Sequence, residues 1–204
     1  MQHSLFQSEP VVYMMEGCRI GHYPKFMDRL TLDRWMSSLE DELAWTQDTI
    51  KLFGKTHLIP RLNAWYGDPG TDFSYSGIPL EALVWTETLL EIRTTLEQRY
   101  NVVMNSVLAN WYRNGFDKMG WHSDDEKQMC PDSPIVSLSL GASRKMQFKS
   151  KIRSNKERLS ILLQHGDVIV MHPPTQEKLK HCIPVMRKVS SGRLNLTFRQ
   201  CLYG

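Results

Sequence analysis

At 204 residues with 41% hydrophobic content, the chain carries enough apolar mass for one good-sized core and is expected to form a single domain over residues 1–204. No run approaches the roughly 18 apolar residues of a membrane span, and no basic-then-apolar leader opens the chain, so neither a membrane protein nor an exported one is expected. The net charge of +3 is modest but uneven: residues 144–158, RKMQFKSKIRSNKER, hold seven Lys/Arg against one Glu, leaving the remainder at about −3.

Residues 1–29 carry no clear period. Over 31–46, Leu32, Trp35, Leu39 and Leu43 recur at three- and four-residue steps and predict a helix. A second helix is predicted over 79–100, opened by Pro79 and continued by Leu89, Ile92, Leu96 and Tyr100. From about residue 105 the period changes to two. Strands are predicted at 105–112, 134–140, 145–149, 158–163, 167–171, 181–185 and 193–199, separated by Gly, Pro, Ser and Asp turns. The expected class is mainly β with helical support: a sandwich, jelly roll or barrel. The basic stretch falls on one of its hairpins and fits either a charged, aggregation-resistant edge or a nucleic-acid contact. Cys18, Cys130, Cys182 and Cys201 are widely spaced with no CxxC, which suggests reduced thiols rather than a zinc site or a disulfide framework.

The segment WHSDDE raises the first chemical question. If 121–124 is extended, His122 and Asp124 leave one face together while Ser123 points away. Two such ligands need a third, and a two-histidine, one-carboxylate set binds non-haem Fe(II) with three positions left open. His165 sits in a turn-like QHGD, His172 precedes Pro173 and Pro174, and His181 begins a strand-like run; His181 is preferred. In RLNLTFR, alternation puts Arg193, Asn195, Thr197 and Arg199 on one face. Inside a β cup, two guanidinium forks form a receptor for a dicarboxylate such as 2-oxoglutarate. Asn110 and Tyr112 of LANWY share a face and could complete that pocket.

Taken together, WHSDDE, His181 and RLNLTFR resemble the AlkB family of Fe(II)- and 2-oxoglutarate-dependent nucleic-acid dealkylases. The similarity runs from about residue 50 to 200, through LFGKTHLIPR, YGDPGTDFSYSG and SPIVSLSLGASR as well, and is strongest toward homologues that repair duplex DNA. The resemblance implies a double-stranded β-helix (jelly roll) over about 105–200 with a nucleotide-recognition lid over about 50–80. It implies His122, Asp124 and His181 as iron ligands, Arg193 on the distal carboxylate of 2-oxoglutarate, and Arg199 nearer the metal. Asn110, Tyr112, Asn195 and Thr197 become further pocket residues.

On the same basis, Phe73 and Tyr75 would sandwich an extruded base against His122, and Glu126 would present a carboxylate to it. Phe53 would wedge into the vacated place in the stack, and Lys55, Arg61, Arg187 and Lys188 would contact phosphates. The implied reaction consumes O2 and 2-oxoglutarate, hydroxylates the N-alkyl carbon of 1-methyladenine, 3-methylcytosine or an etheno adduct, and releases aldehyde, succinate and carbon dioxide. The expected partner is alkylated DNA, double- or single-stranded, met by a monomer away from membranes. Without the long polar N-terminal extension of nuclear relatives, a bacterial-type cytoplasmic enzyme is expected. The same iron site would also serve a hydroxylase or demethylase acting on RNA, a protein side chain or a small molecule.

Overall fold

A computed structural model describes residues 9–52, 55–71, 73–75 and 78–203, with the backbone alone at 50–52, 55, 73–75 and 78–80. The first half contains β1 (Val11–Met15), β2 (Cys18–Tyr23), α1 (Arg29–Glu42), β3 (Thr49–Leu52), β4 (Lys55–Leu58), β5 (Leu62–Gly67), β6 (Phe73–Tyr75), β7 (Ile78–Leu80) and α2 (Glu87–Tyr100). The second contains β8 (Ser106–Tyr112), β9 (Met119–His122), β10 (Ile135–Gly141), β11 (Arg144–Ser150), β12 (Arg158–Leu163), β13 (Asp167–Met171), the short α3 (Thr175–Lys178), β14 (Leu179–Ile183) and β15 (Arg193–Arg199).

Seven strands make a major sheet in the order β1, β2, β13, β10, β15, β8, β5, and four make a minor sheet in the order β12, β11, β14, β9, with every pairing antiparallel. Period two sorts the side chains of the major sheet. Leu194, Leu196 and Phe198 of β15, with Val107 and Ala109 of β8, enter a core closed by Leu32, Trp35 and Leu39 of α1 and Leu89, Ile92 and Leu96 of α2. On the other face, Ile20, Tyr112, Ile135, Ile169 and Met171 meet Met146, Phe148, Leu179 and Ile183 of the minor sheet in a second core. The layers are therefore helices, major sheet, minor sheet, and the polar residues of β15 are trapped between the sheets.

Both predicted helices form, with shorter bounds. Asp28 caps α1 by accepting from the Thr31 N–H at 3.0 Å, and the helix stops at Glu42 because Thr46 exchanges two 2.9 Å backbone hydrogen bonds with Asn63. The second helix opens at Glu87 behind the Thr86 cap instead of at Pro79. Residues 78–80 form β7, and Leu83 is tied to β5 by hydrogen bonds with Trp65 and Gly67. A left-handed Asn101 closes α2. The seven predicted strands are all present within two residues of their expected ends, while β1 and β2 fill part of the stretch that has no legible period.

Candidate active site

His122 and His181 are direct cross-strand neighbours of β9 and β14, which brings their ring centres to 4.2 Å. β9 ends at His122, so Asp124 lies beyond the strand, yet it still returns to the histidines. Its Oδ1 is 3.8 Å from His122 Nε2 and its Oδ2 is 3.6 Å from His181 Nε2. Two contacts hold it there: Arg199 Nη2 donates to Oδ1 at 2.6 Å, and the Gln176 side-chain carbonyl accepts the Asp124 N–H at 3.0 Å. His122 Nδ1 is 2.9 Å from the Gly120 carbonyl, which places its proton there and leaves the Nε2 lone pair for a cation.

Burial, with the neighbouring His122, pushes His181 down to about 3, and burial also lowers His122, so both imidazoles are neutral donors near pH 7. Burial alone would raise Asp124, but Arg199 and the two imidazoles hold its carboxyl below the ordinary range. The donor atoms lie within 4.8 Å of one another and could hold a metal ion. Asp124 Oδ2 is buried with no hydrogen-bond partner among the described residues, a gap that a cation would fill. Of the other histidines weighed as the third ligand, His165 accepts from the Gly141 N–H at 2.8 Å, and His172 is not in the cluster.

A narrow cleft leads from this cluster between the sheets, lined by Asn110, Tyr112, Asn195, Thr197 and Arg199 among others. Register explains the grouping, since Tyr112 faces Arg193 and Asn110 faces Asn195 across β8 and β15. Arg193 is fully buried beside Tyr112 and Asn195. Its Nη2 donates to Ser139 Oγ at 2.7 Å and Asn195 Oδ1 at 2.9 Å, while Asn195 Nδ2 donates to Thr197 Oγ1 at 3.0 Å. Nε and Nη1 of Arg193 are buried and, among the described residues, have only the Tyr112 hydroxyl close by, and burial pushes its pKa down to about 10, which still leaves it charged at neutral pH. A fixed cation with unused donors fits the carboxylate end of a 2-oxo diacid.

Other placements depart from expectation. Arg61, expected on phosphate, is buried: at the start of β5, next to β8, its Nε donates to Asn110 Oδ1 at 2.7 Å inside the site. Arg144, counted in the basic stretch, is fully buried as well. Ser137 and Ser139 of β10 extend the polar ladder and were not singled out from sequence, although SPIVSLSLG places them on one face by period two. Gln176 gave no signal, because it meets Asp124 from a helix 52 positions away in the chain.

Glu126 flanks the cluster. Burial raises its carboxyl to about 7, and its Oε2 has no hydrogen-bond partner among the described residues. Arg187 and Lys188 are exposed between β14 and β15. Lys149 Nζ lies 4.5 Å, and Arg158 Cζ 5.8 Å, from the centre of the Trp121 ring. Phe53 lies outside the described residues, as do the side chains of Lys55, Phe73 and Tyr75.

Two imidazoles and a carboxylate around one point, with a polar cleft beside them between two antiparallel sheets and a buried arginine bonded to one of its lining residues, fit an iron oxygenase that uses a 2-oxo acid. The family model of the 2OG-Fe(II) oxygenase superfamily matches residues 19–199; the chain belongs to that superfamily and, within it, to the AlkB family. It is 34% identical over 189 residues to DNA oxidative demethylase ALKBH2 of Mus musculus, covering 88% of this chain and 79% of that one. Identity to DNA oxidative demethylase ALKBH2 of Homo sapiens is 35% over 189 residues, covering 88% and 72%. Identity to alpha-ketoglutarate-dependent dioxygenase alkB homolog 3 of Homo sapiens is 34% over 189 residues, covering 89% and 65%. The solved structure of OsALKBH1 superimposes with a TM-score of 0.65 at 16% identity, covering 93% of this chain and all of that one, and shares the fold. Fe(II), 2-oxoglutarate and O2 are the family's cofactor set. Among the described residues no helix is long and apolar enough to cross a membrane.

Proposed function

We propose that this chain is a DNA repair enzyme that removes alkyl groups from base nitrogens by oxidation. One observation carries the reading: a single strand, β15, aims Arg199 at Asp124 of the metal cluster and fixes Arg193 on Asn195, a residue that lines the adjoining cleft, in a chain about one third identical to DNA oxidative demethylases. His122, Asp124 and His181 would hold the iron. Arg193, Asn110, Tyr112, Asn195 and Thr197 would hold 2-oxoglutarate, with Arg199 fixing Asp124. The bound iron, with O2 and 2-oxoglutarate, supplies the oxidising power that hydroxylates the alkyl carbon, and the hydroxylated product breaks down to aldehyde and free base.

The protein's own work is placement. Neutral imidazoles offer lone pairs, Arg199 keeps Asp124 ionised, and the buried cleft excludes water around the cosubstrate. Glu126 would present its carboxyl to a flipped base, suiting 1-methyladenine or 3-methylcytosine, whose blocked pairing edge makes flipping less costly and adds positive charge. Etheno adducts block the pairing edge as well but are uncharged at neutral pH, and would be further substrates through oxidation of their C=C bridge. Phe73 and Tyr75 would stack on the base, Phe53 would fill its place in the duplex, and Lys55, Arg187 and Lys188 would meet phosphates; Arg61 belongs instead to the Asn110 side of the cleft. The chain would act as one domain and as a monomer. The described cysteines are all free, which suits the reducing interior of a bacterial-type cytoplasm.

The experiment is succinate formation from 2-oxoglutarate with oligonucleotides that carry or lack 3-methylcytosine. The reading predicts stimulation by the methylated strand. Equal succinate from both strands would shift the assignment to another hydroxylase substrate.

A further inference from the structure

Beside Tyr112, which lines the cleft, lies a second buried cation that the proposed function does not use. Arg144 opens β11 and has no exposed surface. Its Nη1 donates to the Asn114 carbonyl at 3.0 Å, and its Nη2 donates to the carbonyls of Asp117 at 2.7 Å and Pro184 at 2.8 Å. None of these partners carries the counter-charge. The Asp117 carboxylate, whose charge acts on Arg144 from a distance, is itself occupied by Arg113, with Nε at 2.8 Å and Nη2 at 3.0 Å. Arg144 Cζ lies 5.4 Å from the centre of the Tyr112 ring, and Arg193 Cζ lies 5.4 Å from the same centre. One tyrosine thus has two buried guanidiniums over it, and the hydrogen bonds of both end on neutral oxygens.

This arrangement is costly unless an anion joins it. Two like charges near one ring repel, and burial disfavours each of them. A ring close to two cations is polarised, so its hydroxyl becomes a stronger donor. We infer that Arg144 is a positioning residue for the cosubstrate, setting through Tyr112 and its own charge how strongly the cleft selects a 2-oxo acid with a second carboxylate over one without. The inference rests on the cleft being the 2-oxoglutarate site. Arg193 is the contact, and Arg144 makes that contact selective through the ring they share.

The test is calorimetric titration, without oxygen, of 2-oxoglutarate and of 2-oxobutanoate into Mn(II)-loaded full-length protein. Arg144→Gln keeps a donor for the carbonyls and removes the charge; Arg144→Lys keeps the charge and loses the fork. The expected result is about tenfold weaker 2-oxoglutarate binding in the Gln variant with 2-oxobutanoate within about twofold, and a Lys variant within about threefold for both. Parallel loss of both acids in the Gln variant, or no change in either, overturns the inference and leaves Arg144 a structural strut. If the Gln variant does not fold, the Lys variant decides. Its ratio of the two affinities must stay within about threefold of the parent, and a tenfold fall in that ratio would count against the inference. A parent protein that binds both acids equally would remove the reading of the cleft and this inference together, whereas loss confined to Arg144 variants leaves that reading intact.

Discussion

Asp124 does two jobs, and they can be separated. Its Oδ1 accepts from Arg199 while its Oδ2 has no partner among the described residues, so one oxygen belongs to the fold and the other is available to a cation. Asp124→Ala breaks a buried ion pair and should destabilise the metal-free protein by about 3–5 kcal/mol in denaturant unfolding. Asp124→Asn keeps a hydrogen-bond acceptor for Arg199 and should lose less stability, while both variants lose Mn(II) binding by calorimetry. Equal unfolding midpoints for the parent and the Ala variant would contradict the structural half of this reading. The metal set is legible in the sequence because His122 and Asp124 are two apart and His181 falls in a strand-like run, although β14 starts two residues before it. Arg61 was misread as a phosphate contact, since its burial comes from pairing with Asn110, a residue 49 positions away that no local pattern reveals.

At the scale of elements, period two marks most strands after residue 105 because one face lies on an apolar core and the other on the polar cleft or on solvent, whereas β13 is apolar on both faces and shows as a short continuous apolar run. The helix ends were less legible. Leu43 continues the helical stripe of α1, and Pro79 imitates a helix start, but pairing with β5 and β6 pulls both flanks into extended backbone. The loop between β8 and β9 has its own titratable fastener. Burial would raise Asp117, yet hydrogen bonds from Arg113, including its backbone N–H at 2.9 Å, outweigh that and hold the carboxyl below the usual range. A depressed carboxylate pKa contributes stability above its unfolded value of about 3.9 and loses it as pH falls through the folded value. Thermal melts of the parent between pH 6 and 3 should therefore fall more steeply than those of Asp117→Asn, which starts lower at neutral pH. Parallel curves would mean that the carboxylate contributes nothing to acid stability.

For the whole molecule, function follows from layering. The helices close one face of the major sheet, the minor sheet closes the other, and the second gap holds, beside its apolar core, the polar residues of β15, β8 and β10, with the two arginines of β15 among them. The sequence displayed the two arginines of RLNLTFR on one face but could not show that they are buried, because burial depends on a sheet whose strands lie elsewhere in the chain. Nor could it separate Arg144 from the basic stretch it opens. Removal of alkyl groups from DNA bases is the reaction expected of this layered site. Its most direct test is mass spectrometry of single- and double-stranded oligonucleotides bearing one 1-methyladenine or 3-methylcytosine, incubated with the protein, Fe(II) and 2-oxoglutarate with and without oxygen, beside an Asp124→Ala control. The expected result is loss of one CH₂ mass that needs oxygen and cosubstrate and is absent from the control. Conversion of 2-oxoglutarate to succinate with the oligonucleotide mass unchanged would contradict it.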